Sequence, residues 1–108
     1  MSLVLLAGAA AAVVGAALPP AYRGTWASEP SACARVSSPD RVAVTATRFR
    51  DARVVRVYPR GPGSELAMLR IPGGATVERQ LLLEDRGRTL RVVEELGIMN
   101  YSKCGSAR

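Results

Sequence analysis

The sequence predicts an all-β fold, a small antiparallel meander of six to eight strands that closes into a barrel behind an N-terminal apolar signal helix. Three observations predict it. Beyond Pro20 the apolar residues fall in short runs of period-two alternation rich in Val and Thr, the signature of half-buried strands rather than of helices. Gly- and Pro-containing turns interrupt these runs at intervals of about ten residues, the spacing of a barrel or sandwich. Cys33 follows the first run and Cys104 closes the last, so a bridge between them would seal the two edges that a meander leaves apart.

The 108 residues have room for one small domain, and they are unevenly composed. Residues 2–18 carry no charged side chain; the 15 basic and nine acidic residues all follow Pro19 and Pro20. An apolar run of this length lies between a secretory signal core and a short membrane-spanning helix. Gly15, Ala16 and Ala17 supply the small residues that a signal peptidase reads, so residues 1–17 are expected to be a signal peptide cut after Ala17 or Ala16. The mature domain then occupies 18–108. An uncleaved anchor and a buried core helix are the alternatives, because the amino terminus supplies the only positive charge ahead of the run. No cysteine stands where the run ends, which excludes lipid attachment at that point.

Each element of the mature domain is read in turn. Residues 22–27 form the first strand, and 28–40, with Pro30, Pro39 and several serines, form an irregular connection holding Cys33. Residues 42–48 and 53–58 are strands by their β-branched content, with a turn over 49–52 and a second turn over 59–64. Residues 65–71 form a strand ended by Pro72, Gly73 and Gly74. Residues 75–86 read in two ways. Val77, Leu81 and Leu83 share a strand face, whereas Val77 and Leu81 also share a helical face with Gly87 as its C-cap. The strand reading leads through a hairpin turn over 85–88 into a strand over 89–95, and 98–104 is the last strand.

An even pair of cysteines in an exported chain is expected to form one disulfide, Cys33 to Cys104. A loop of roughly 70 residues contributes about 4 kcal/mol on a chain-entropy model, a large share of the roughly 5–10 kcal/mol typical of such a domain. A reactive thiol would need an activating neighbour, and the chain has neither C-x-x-C spacing nor a histidine.

Tyr22, Arg23, Gly24, Thr25 and Trp26 open the mature domain, and Tyr101, Ser102, Lys103 and Cys104 stand near its end. The Gly24-x-Trp26 of the first strand resembles the opening motif of the lipocalin/calycin superfamily. Together with the following Cys33 and the late Tyr-x-x-Cys it is similar to small exported bacterial β-barrel proteins, and the early G-x-W with its nearby cysteine also resembles bacterial alkaline proteinase inhibitors. The resemblance implies a compact barrel in which a late-strand cation, Arg91 or Lys103, stacks on Trp26. The inhibitor likeness implies a free N-terminal arm over 18–21 that threads into a protease cleft. Physically, Trp26 can bury about 200 Å² as a barrel plug, and Gly24 leaves room for a close approach. A barrel of about 90 residues is expected to fill its interior with side chains rather than enclose a spacious cup.

With no histidine in the chain, Ser-His-Asp triads, Cys-His pairs and histidine metal sites are excluded, and neither metal nor cofactor is expected. The adjacent acids Glu84–Asp85 and Glu94–Glu95 point to opposite faces of a strand, so neither pair makes a facing acid–base couple. Glu94 shares the alternation of Leu90 and Val92, which makes it a carboxylate that would need an arginine partner. The one charge cluster is basic: Arg48, Arg50, Arg53, Arg56 and Arg60, opposed by Asp51 alone, with Arg48 and Arg50 expected on one face. Such a patch attracts anionic headgroups or an acidic protein. Nucleic acid is not expected, since aromatics are only 5% and no recognition module is visible. The expected function is that of a periplasmic or secreted bacterial envelope protein, a non-catalytic binding or interaction module for a protein or an anionic envelope component. The alternatives are a periplasmic protease inhibitor acting through its N-terminal segment and an anionic glycolipid or lipid binder acting through the arginine patch.

Overall fold

The computed structural model describes residues 15–105, so the expected signal helix lies outside the described residues up to residue 14. Eight strands, β1 (Gly24–Ala27), β2 (Arg41–Val44), β3 (Arg48–Phe49), β4 (Ala52–Gly61), β5 (Ser64–Arg70), β6 (Thr76–Glu84), β7 (Thr89–Glu94) and β8 (Gly97–Lys103), follow one another in chain order. Each pairs antiparallel with the next, and β8 returns to β1 to close the barrel. The all-β meander read from the sequence is the fold that forms. Alternation does the sorting: Trp26, Val42, Val44, Val54, Ala67, Leu69, Leu81, Leu90, Val92 and Tyr101 turn inward as one buried cluster, while the residues between them face out.

Four readings of the sequence are corrected or decided. Tyr22 does not start a strand: it ends a 3-10 turn, Pro20–Tyr22, with Pro20 fixing the first φ and the Tyr22 N–H bonded to the Pro19 carbonyl at 3.0 Å. The turn expected over 49–52 shrinks to Arg50 and Asp51, because Phe49 and Ala52 pair with each other across it and Arg50 takes a left-handed φ of 58°. Residues 76–84 form a strand, paired on both sides with β5 and β7, and Gly87 serves the following turn instead of capping a helix. β4 runs on through Pro59 to Gly61. Val57 bonds Gly15 on the side away from β5, and Pro59, two residues on, repeats that direction, so its missing N–H removes no bond from the β4–β5 ladder.

Closure rests on a short seam. β1 meets β8 at Trp26↔Lys103 and Ala27↔Ser102, and the Cys104 N–H adds a 2.8 Å bond to the Thr25 carbonyl. The 3-10 turn Pro30–Ala34 lies against β1 outside this seam and carries Cys33 to Cys104, 71 residues away in sequence. The disulfide therefore spans the closure, as the sequence predicts.

Replacing both Cys33 and Cys104 by Ala is expected to lower the unfolding free energy by about 4 kcal/mol, the loop-entropy contribution of a closure of this length. Urea denaturation followed by the fluorescence of Trp26 measures it.

Candidate functional site

The sequence motif comes together at the barrel end where the chain enters. Leu18 and Tyr22 are both buried against Trp26 in the core. The Trp26 Nε1–H donates to the Tyr22 carbonyl at 3.0 Å, and the Arg23 guanidinium donates twice to the Leu18 carbonyl, at 3.0 and 2.8 Å. Of the two cations proposed to cover the tryptophan, Lys103 does so. Its Nζ stands 4.9 Å from the ring centroid and donates to the Arg23 carbonyl at 2.9 Å. Arg91 instead pairs with Glu84 at 3.1 Å. The close approach that Gly24 permits is that of the lysine, since a Cβ built there would lie 3.1 Å from Lys103 Cε. This end is a structural plug: Leu18 is fully buried and anchors the start of the segment 18–21, while Pro20 and Ala21 stay exposed.

The arginines separate into two groups. Arg48, Arg53, Arg56 and Arg60 are exposed on the outer face of β3 and β4. Register sharpens this, because Arg48 lies opposite Arg53 and Arg53 opposite Arg70, placing three guanidinium groups in one row across β3, β4 and β5. Arg70 belongs to the face although it lies outside the sequence cluster; only strand pairing brings it there. Among the described residues none of Arg48, Arg53, Arg56, Arg60 and Arg70 makes an ion pair. Arg50 does not share the face of Arg48. Its left-handed turn swings the guanidinium away to donate to the Pro39 carbonyl at 3.2 Å and to the Tyr101 hydroxyl at 3.0 Å, so it fastens the β3–β4 turn across the barrel to β8.

Three of the four acids of the adjacent pairs stand beside arginines. Glu84 faces Arg91, Asp85 lies 3.8 Å from Arg88 within its turn, and Glu94 takes Arg79 at 4.0 Å. Glu94 does sit on the inward alternation with Leu90 and Val92, but at the rim, where it stays partly exposed. The buried carboxylate is another one. Glu65 is 8% exposed on the inward face of β5, and burial raises its pKa above the ordinary value of 4.5. The same face holds Ala67 and Leu69, so the alternation Glu65, Ala67, Leu69 was the signal that could have located it. Tyr22, whose hydroxyl is buried with no hydrogen-bond partner, has its pKa raised by burial and by the nearby Glu65 charge. It stays a neutral phenol at any physiological pH.

Two recesses mark the surface. An open cleft of about 540 Å³ flanks the disulfide, walled by Ala27, Pro30, Arg88, Ser102 and Lys103. A shallow one of about 120 Å³ lies at the barrel end opposite the plug, lined by Phe49, Ile71 and Val77 with Arg50, Arg79 and Glu94 around them. No family model matches the chain, and no curated protein or solved structure matches it either.

Glu65→Gln is expected to raise stability at neutral pH relative to the parent, with the difference shrinking as the pH falls towards 4. A carboxyl whose folded pKa is raised contributes fully while protonated in both states and loses that contribution as pH rises through the folded pKa; glutamine does not titrate. Urea midpoints measured from pH 4 to 8 test the sign. Lys103→Ala is expected to cost about 1–2 kcal/mol and to shift Trp26 emission, since it uncovers the indole face and leaves the Arg23 carbonyl without its donor.

Proposed function

We propose that this chain is an exported, non-catalytic binding module of a bacterial envelope whose working surface is the basic outer face of β3, β4 and β5. The row Arg48, Arg53, Arg70 carries the reading. Like charges directly opposite one another across strands destabilise a sheet, and none of the three makes an ion pair among the described residues. An external polyanion relieves them while gaining charge-assisted, bidentate hydrogen bonds from several guanidinium groups at once. The net charge of +6 draws such a partner in over a longer range. The disulfide supports an oxidising compartment. Export further implies that the protein recovered outside the cytoplasm begins at Leu18 or Ala17 and lacks the two hydrogens of a reduced cysteine pair. The inhibitor alternative has less support, because Leu18, the first residue of the segment it needs, is packed into the barrel.

Polyglutamate and vesicles containing phosphatidylglycerol are the two test ligands. Binding is expected to weaken by about tenfold or more between about 50 and 200 mM salt, to be lost in the double variant Arg53→Glu/Arg70→Glu, and to persist in Arg50→Gln. Binding to vesicles alone identifies headgroups as the anion, and binding to polyglutamate alone identifies an acidic protein. Salt-independent binding, or binding unchanged by the double reversal, overturns the reading.

A further inference from the structure

We infer that the β3-side edge of β4 beyond Val54 is a docking strand, onto which an acidic, extended polypeptide segment adds once Gly15 has been removed. The inference rests on the proposed export and on the basic face described above, and it names the partner class and its mode of binding. β3 has only two residues, and its ladder with β4 ends at Arg48↔Arg53, followed by one bond from the Val54 N–H to the Thr47 carbonyl at 2.8 Å. From there to Gly61, among the described residues, β4 has a neighbour in β5 on one side and no strand of the barrel on the other.

One extended residue already occupies that edge. Gly15 pairs antiparallel with Val57: its N–H donates to the Val57 carbonyl at 3.2 Å and its carbonyl accepts from the Val57 N–H at 2.6 Å. Three residues on, the Leu18 N–H bonds the Ala46 carbonyl at 2.8 Å, so residues 15–18 cross the gap between β4 and the β2–β3 turn. Cleavage after Ala17 or Ala16 takes Gly15 away and leaves the buried Leu18 in place. The Val57 N–H and C=O are then an open strand edge, the template on which strand addition builds. Pro59 offers no N–H in that direction, which confines the added strand to a short segment centred on Val57.

The side chains set the chemistry of the occupant. A strand laid beside β4 brings its outward residues within about 5 Å of their cross-strand neighbours. Those neighbours are Arg56 and Tyr58, with Arg53 under the end of β3 and Arg60 just past Pro59 flanking them; the three arginines are exposed and without an ion pair among the described residues, so acidic side chains match them. Its inward residues adjoin Val54 and Val57, which suits small apolar side chains. The segment that fits is an extended peptide alternating Asp or Glu with Val or Ala.

Three synthetic peptides test this: one alternating Asp and Val, the same with alternate backbone nitrogens methylated, and the same with Asn for Asp. Each is titrated onto the exported protein, its N-terminus fixed by mass spectrometry, and onto the full chain, with backbone amide exchange as the readout. The Asp–Val peptide is expected to slow exchange of the Val57 amide by about tenfold or more in the processed protein, and the methylated and Asn peptides to lose that effect. The full chain, with Gly15 in place, is expected to bind about tenfold more weakly or worse. Equal binding of the methylated peptide, or binding with no protection at Val57, overturns strand addition while leaving the basic face as the anion site. Failure of polyglutamate and vesicles as well overturns both readings. An exported protein that retains Gly15 overturns the inference alone.

Discussion

A meander of eight strands has two free edges, and in this chain they are joined along only two residue pairs, Trp26↔Lys103 and Ala27↔Ser102. So short a ladder would fray by itself, and every feature around it acts to hold it. The indole of Trp26 fills the interior behind the seam, the Lys103 ammonium covers its face and bonds the Arg23 carbonyl, and Cys104 is fixed both by the Thr25 carbonyl and by its disulfide to Cys33. The residues that looked like a family signature are therefore the parts of one fastening. They stand at opposite ends of the sequence because closure is where those ends meet.

Fastening that end leaves the interior little room for a ligand. Leu18 and Tyr22 are driven in from the entering chain, Phe49 and Tyr101 from the walls, and the described core is made of their contacts with Val, Ala and Leu. The one buried acid, Glu65, lies beneath this plug with a raised pKa, and the Tyr22 hydroxyl nearby has no partner. Burial of the Glu65 carboxyl costs stability at neutral pH, where its ionised form is disfavoured.

On the outside the arginines divide by what holds them. Arg50, forced into a left-handed turn, is consumed in bracing Pro39 and Tyr101. Arg48, Arg53 and Arg70 are left opposite one another on three strands, an arrangement that folding alone does not favour. The same region carries an interruption in lateral pairing, where β3 stops after two residues and Gly15 takes the place of a strand. Arginines without ion pairs among the described residues and an edge bridged by a single residue, Gly15, thus coincide on β4.

By itself the sequence determined whatever depends on local pattern and on the chemistry of rare residues. Period-two alternation set the strands and their inward faces, the spacing of glycines and prolines set most turns, and an isolated cysteine pair bracketing the domain set the bridge across its closure. Glu65 was equally legible, one alternation step from Ala67, although an acid among apolar neighbours is easily taken for a strand end. Tertiary structure alone decided what depends on register and on distant neighbours. Alternation says which face a residue takes but not which residue stands opposite, so Arg70 joined Arg48 and Arg53 only when β5 paired with β4. Nor does a sequence state the direction in which a strand's N–H groups point, and that direction let Pro59 continue β4 and left Val57 to Gly15. The choice of Lys103 over Arg91 has the same origin, because β8, not β7, is the strand that meets β1.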